Sequence, residues 1–202
     1  MKAFLLMAGR GERLRPLTDK MPKPLIKVGG RPIVWYIENL LRKHGVTDIC
    51  VNLHYKPKQI IDYFGDRVLY SFEPELLGTA GALTKVRGWL GSPFLVLNGD
   101  TISDVDLTEM LAYHYENNSF ATIFTHDTAI HNGGAFIFDK VVFDYIPENK
   151  SYSIHEDLLP VLIKEVKTAL YKSNANYFDL GTAEKLERAR KFFNNEKTAC
   201  LS

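Results

Sequence analysis

Two kinds of apolar pattern alternate along this chain. Ala3–Met7, Ile49–Leu53, Val68–Phe72 and Phe94–Leu97 are short, compact apolar runs, the form a strand takes when both of its faces are buried. Between them, Ile33–His44, Lys58–Phe64 and Thr79–Leu90 carry apolar residues three and four positions apart, which predicts helices. Arg31-Pro32 suits a helix start, and His44-Gly45 suits a helix stop. This alternation implies an α/β fold, a mostly parallel sheet covered by helices on both sides.

The second half is less regular. Leu107–Tyr115 and Leu158–Lys164 have helical spacing, and Ala121–Phe124, Ala135–Phe138, Val166–Tyr171 and Tyr177–Leu180 have the look of strands. A last helix is expected from Thr182 to about Phe193. Residues 194–202 lack periodicity and are expected to be a frayed tail. With no repeat, linker or low-complexity stretch, residues 1–193 read as one domain.

Composition narrows the function classes. The chain has 202 residues, 46% hydrophobic and 24% charged, with a formal net charge of +1, so nothing global points to nucleic acid or to an acidic membrane surface. The charge is nevertheless uneven. From Arg10 to Arg31 there are seven basic residues (Arg10, Arg13, Arg15, Lys20, Lys23, Lys27, Arg31) against Glu12 and Asp19. A cationic loop on a near-neutral chain suits a small anionic ligand better than a polyanion. Cys50 and Cys200 offer neither a disulfide framework nor metal spacing, and Cys50, inside an apolar run, is expected to be a buried filler. The six histidines show no zinc-like pairing. The apolar stretch at Met1–Met7 is too short for a signal-peptide core or a membrane span, so the chain reads as cytoplasmic, with no membrane partner. It carries no signal for an oligomeric state.

The chemistry concentrates just after the first strand. Ala8-Gly9-Arg10-Gly11 lets backbone N–H groups approach a ligand closely. At the carboxyl end of a first parallel strand such a turn makes a phosphate cradle, and Arg13, Arg15 and Lys23 surround it with positive charge. A dinucleotide fingerprint needs a third glycine where Leu14 stands, and a P-loop needs Gly-Lys followed by Ser or Thr. Neither motif fits.

The run Gly9-x-Gly11-x-Arg13-Leu14-x-Pro16-Leu17-Thr18, followed by Pro22-Lys23-Pro24-Leu25, resembles the signature of the sugar-1-phosphate nucleotidyltransferases. Further matches follow in the family's order. Leu77-Gly78-Thr79-Ala80-Gly81-Ala82-Leu83 is similar to a nucleobase-recognition segment, and Asn98-Gly99-Asp100 to a metal-holding strand end. Asn132-Gly133-Gly134 is similar to a sugar-side turn, and Phe178-Asp179-Leu180-Gly181-Thr182 to the segment with the second metal carboxylate. The resemblance covers roughly residues 1–193. It implies a single domain of Rossmann-like three-layer α/β/α architecture, Mg²⁺ as cofactor, and a nucleoside triphosphate and a sugar 1-phosphate as substrates.

Residue by residue, the resemblance implies that Arg13 holds the β- and γ-phosphates and that Lys23 neutralises the α-phosphate and the sugar phosphate. It gives Ala8, Gly9, Gly11, Gly78, Thr79, Gly81 and Asn98 to the nucleotide, and Asp100 and Asp179 to Mg²⁺. Gly133, Gly134, Glu156 and Asp157 fall on the sugar side. There are departures. Glu12 stands where relatives often have Ser or Thr, and Thr125–Asn132 lacks the lysine of the Glu-Lys-Pro segment that many relatives carry. The chain resembles a bare catalytic core. Two rival functions bear on the same residues: a glycosyltransferase reading of Asp104-Val-Asp106 as a metal motif, and a non-catalytic sensor of nucleotide-sugars. Asp106 precedes a helical run and suits an N-cap equally well.

Overall fold

The apolar runs of the first half become neighbouring strands, and their alternate residues face opposite ways. In β1 (Lys2–Leu6) Ala3 and Leu5 enter one buried cluster while Phe4 enters another. The computed structural model describes residues 1–126 and 132–199. β1 lies inside a seven-stranded sheet with β4 (Ile49–Leu53), β5 (Leu69–Phe72), β6 (Phe94–Asn98), β8 (Ala121–Thr125), β9 (Asn132–Phe138) and β10 (Thr168–Lys172). The strand order is β10-β8-β9-β6-β1-β4-β5. β1 is parallel to both β4 and β6, β5 is parallel to β4, and β10 is parallel to β8. Only β9 runs against its neighbours. The sheet is therefore mostly parallel and mixed.

Helices cover both faces, which makes three layers. α2 (Ile33–Lys43), α3 (Pro57–Phe64), α5 (Leu107–Glu116) and α7 (Ala183–Ala199) bury their apolar stripes with Ala3 and Leu5. α4 (Gly78–Thr84) and α6 (Leu159–Glu165) pack with Phe4, Phe94 and Phe136 on the other face. Short α1 (Leu17–Lys20) lies in the loop after β1. A small hairpin of β2 (Lys27–Val28) and β3 (Arg31–Pro32) turns on Gly29-Gly30, both at positive φ. The sequence reading passed over this turn although Gly-Gly is a hairpin signal. It also missed β7 (Thr101–Ser103), which pairs antiparallel with β11 (Tyr177–Asp179).

Two boundaries differ from expectation. The helix predicted over Thr79–Leu90 stops at Thr84, and residues 85–89 continue as turns with bonds from Val86 to Leu83 and from Trp89 to Val86. The last helix runs on to Ala199 rather than ending near Phe193. Residues 194–199, Asn-Asn-Glu-Lys-Thr-Ala, add no apolar stripe, so periodicity gave no sign of them. Residues 200–202 of the expected tail lie outside the described residues. Cys50 is buried, and burial pushes its thiol up to about 11. Among the described residues no helix is long and apolar enough to cross a membrane.

Candidate active site

A cavity of about 690 Å³ opens at the carboxyl ends of β1, β4 and β6, where an open parallel sheet receives ligands. One wall is the loop from Met7 to Arg13. Its backbone is tied down by Asn52 of β4, whose Oδ1 accepts the Met7 and Ala8 N–H groups at 2.5 and 3.2 Å. Asn52 Nδ2 donates to Glu73 Oε1 at 2.7 Å, and Glu73 Oε2 accepts the Leu77 N–H at 3.0 Å. Both side chains are buried, so this network fixes three wall segments relative to one another. Sequence reasoning missed both residues. The available signal was a polar residue inside an otherwise apolar strand. Gly11 sits at φ 63°, and its carbonyl accepts the Thr18 hydroxyl at 2.9 Å, which sets the turn that leads to Arg13. A side chain at Gly9 would meet only open space, so glycine there leaves room for a ligand.

Of the two predicted carboxylates, Asp100 lines the cavity and Asp179 does not, although Gly181 beside it does. Asp100 follows β6, and in the β7–β11 ladder Asp179 stands opposite Thr101. The Leu180 N–H donates to the Asp100 carbonyl at 3.0 Å. Residues 79 positions apart are thereby brought to one edge. Buried Lys23 forms an ion pair with Asp100. Lys185, in the first turn of α7 and outside every motif, places Nζ 2.5 Å from Asp179 Oδ2, and the Gly181 N–H donates to Asp179 Oδ1 at 2.8 Å. Burial works against ionisation of Asp179. The bonds from Lys185 and Gly181, with the charges of Lys185 and Lys23, outweigh it and hold the carboxyl below its ordinary range. Burial first, then the charges of Asp179 and Asp100, push the Tyr177 phenol up. A Cβ on Gly181 would lie 2.9 Å from Asp179 Oδ1 and 3.1 Å from Arg13 Nη2, so Arg13 and Asp179 flank the same glycine.

Among the described residues no three His, Cys, Asp or Glu side chains converge as a metal cage. Two carboxylates near a glycine-rich loop are nonetheless the sparse oxygen set that Mg²⁺ accepts when phosphate and water are its other ligands. The donor chemistry at Asp100 and Asp179 fits that ion.

The third wall differs from its sequence reading. Gly78 and Thr79 line the cavity, but Gly81 does not. Gly78 is at φ +72°, and a Cβ on it would stand 2.6 Å from the Tyr152 carbonyl oxygen. A Cβ on Gly81 would stand 2.6 Å from that of Lys150. The Ala80 and Gly81 N–H groups donate to Tyr152 O at 2.8 and 3.1 Å, and Thr79 Oγ1 accepts the Ile154 N–H at 2.7 Å. These residues dock α4 onto the 150–154 segment.

The sugar-side residues also lie elsewhere. Gly133 packs on the Phe124 ring and Gly134 on Thr101, in a cleft behind the main cavity that Asn98 also touches. Asp157 Oδ2 accepts the Ser153 N–H at 2.7 Å, and Ser153 Oγ accepts the Glu156 N–H at 3.2 Å. The Asp157 carboxylate caps its own turn, and neither it nor Glu156 lines the cavity, whereas Ser151 does. The Asp-x-Asp pair is likewise occupied. Asp106 Oδ1 caps α5 through the Thr108 and Glu109 N–H groups, both at 2.9 Å, and Asp104 holds Asn176 at 2.7 Å.

The cavity's glycine loop, Arg13, Lys23 and Asp100 fall within the match to a family model described as nucleotidyl transferase, which covers residues 2–133; Asp179 lies beyond it. The chain belongs to the nucleotidyl transferase family. It is 32% identical over 81% of its length to a UTP–glucose-1-phosphate uridylyltransferase of Synechocystis, of which the match covers 55%. With a D-glycero-alpha-D-manno-heptose 1-phosphate guanylyltransferase of Aneurinibacillus thermoaerophilus it shares 29% identity, over 95% of this chain and 97% of that one. An N-acetylmuramate alpha-1-phosphate uridylyltransferase of Neisseria meningitidis is 44% identical across 54% of this chain and 50% of that protein. Among solved structures, HddC of Yersinia pseudotuberculosis complexed with GMP-PN matches with a TM-score of 0.80 and 25% identity, covering 95% of this chain and 99% of that one. This nucleotidyl transferase spans about half the length of some curated relatives and nearly all of others.

Proposed function

We propose that this nucleotidyl transferase moves a nucleoside monophosphate from a nucleoside triphosphate to a sugar 1-phosphate, releasing pyrophosphate and forming a nucleotide-sugar. The carrying observation is that the Gly9–Gly11 loop, Arg13, Lys23 and Asp100 line one cavity, with Asp179 beside its Gly181 wall. An oxygen of the sugar phosphate attacks the α-phosphorus in line as the bond to the β-phosphate oxygen breaks, and that electron pair leaves with pyrophosphate. The nucleophile is already anionic, so no side chain has to remove a proton. Positioning and charge neutralisation then supply the rate.

Arg13, with its forked guanidinium, suits the β- and γ-phosphates, and Lys23 suits the α-phosphate as a point charge. Asp100 and Asp179 would hold Mg²⁺, which supplies positive charge and orientation to phosphate oxygens. We infer UTP or GTP as the donor, with an acceptor of the N-acetylmuramic acid, mannose or heptose 1-phosphate type. The heptose 1-phosphate and N-acetylmuramate 1-phosphate relatives, a mannose-1-phosphate guanyltransferase of Kluyveromyces lactis 31% identical over 90% of this chain, and the GMP-PN-bound neighbour support this range. The glycosyltransferase reading loses its motif, since Asp106 caps α5 and Asp104 accepts the backbone and side-chain N–H groups of Asn176.

A grid of four triphosphates against sugar 1-phosphates, read as pyrophosphate release with Mg²⁺ present, tests the proposal. Release from a UTP or GTP pairing is expected. Folded protein that releases none from any pairing overturns it.

A further inference from the structure

Lys185 is placed where helix electrostatics alone would not put it. It is the third residue of α7, at the positive end of the helix dipole, where a cation is disfavoured. The Asp179 carboxylate, 2.5 Å from Nζ, compensates for that position. The two carboxylates of the site are thus treated alike, each holding one lysine, but the lysines differ. The Lys23 side chain is 10% exposed and fixed in the wall, while that of Lys185 is 48% exposed on a four-carbon stem rooted four residues after cavity-lining Gly181. One is built in and the other can turn away. Triphosphate contacts are provided by the glycine loop and Arg13, whereas the anionic second substrate has no lysine between Phe124 and Gly133 to meet it.

We propose that Lys185 is a displaceable counter-ion. It orients the Asp179 carboxylate in the free protein, yields that carboxylate to an arriving divalent cation, and then takes up the phosphate of the sugar 1-phosphate. The inference rests on the nucleotidyltransferase reading for its second half only. The phosphate contact substitutes a charge-assisted bond for an ion pair of the same kind, so no net charge is stranded at the rim.

The test compares the full chain with Lys185→Gln and Lys185→Arg. Mn²⁺ titrated without nucleotide, followed by its electron paramagnetic resonance signal, should bind Lys185→Gln about fivefold more tightly than the parent, the scale of one half-exposed ion pair. With the substrate pair found by the pyrophosphate grid, Lys185→Gln should raise KM for the sugar phosphate about tenfold, as loss of one charge-assisted hydrogen bond would. KM for the triphosphate should stay within about twofold, and Lys185→Arg should recover most of the loss. Unchanged Mn²⁺ affinity overturns the displacement. An equal rise in both KM values overturns the phosphate role. If the parent turns over no pair, the nucleotidyltransferase reading falls and takes the phosphate role with it, while the Mn²⁺ comparison, which needs no turnover, still decides the counter-ion.

Discussion

The β7–β11 edge and the α4 wall both carry motif residues, yet the two regions use them in opposite ways. At the edge, Asp100 and Asp179 pair their carboxylates with lysines, and in such pairs a cation can replace the lysine and a phosphate can replace the carboxylate. At the wall, Gly78, Thr79 and Gly81 are engaged by backbone of residues 150–154, and nothing in a ligand could substitute for those contacts. A motif can thus mark a ligand group or mark the packing that shapes its pocket. Exchangeable ion pairs at a cavity rim indicate the first, and backbone contacts too close for a Cβ indicate the second.

That contrast can be broken by substitution, with the largest effect expected at the edge. Asp100→Asn and Asp179→Asn should each lower turnover at least ~100-fold, about 2.7 kcal/mol of barrier, with the double variant well short of additive. Pyrophosphate release measures this, and the melting temperature should hold within a few degrees because shape is kept. A near-normal rate in Asp100→Asn would remove the edge from the chemistry. At the wall the effect should appear in stability. Gly81→Ala puts a methyl 2.6 Å from the Lys150 carbonyl oxygen and should destabilise by about 2 kcal/mol, as overpacking does. Denaturant unfolding reads it. Unaltered stability with lost nucleotide binding would make Gly81 a ligand contact after all. Thr79→Val removes the acceptor of the Ile154 N–H and should cost about 1–2 kcal/mol, with Thr79→Ser close to the parent.

The layered sheet was legible because parallel strands buried on both faces leave unbroken apolar runs, as Ala3–Met7 does. β7 was not, because three residues beside the motif at Asp100 carry no periodicity of their own. The glycine loop, Arg13, Lys23 and both carboxylates were readable from local motifs; all but Asp179 line the cavity, and Asp179 accepts the N–H of cavity-lining Gly181. Asn52, Glu73 and Lys185 were not. Their roles depend on which strand lies beside which, and no local pattern encodes that Asn52 will meet Met7 across β1 and β4. The shared weakness lies at glycines and acids with two uses. Sequence alone cannot separate Gly81 as ligand approach from Gly81 as close packing on Lys150.

Asp157 offers the smallest effect and the finest distinction. It lies on the sugar side of the resemblance, yet its Oδ2 accepts the Ser153 N–H at 2.7 Å while Ser153 Oγ accepts the Glu156 N–H at 3.2 Å. This reciprocal pair satisfies backbone donors at the start of the Ile154–Leu158 turn, as a capping box does. The bond joins residues four apart on one turn, so its loss should loosen that turn without moving the edge that holds Asp100 and Asp179. Asp157→Ala should therefore cost about 1 kcal/mol of stability, the usual value of a cap, and leave kcat/KM for the sugar phosphate within about twofold. Glu156→Gln, at an exposed position, should change stability by less than about 0.5 kcal/mol. Denaturant midpoints and steady-state kinetics on both variants decide the matter. If Asp157→Ala kept its stability but lost tenfold or more in KM for the sugar phosphate, about 1.4 kcal/mol of binding, the carboxylate would have to leave Ser153 when substrate arrives. The wall would then carry an exchangeable partner of the kind found at the edge, and the contrast between the two regions would fail at this residue.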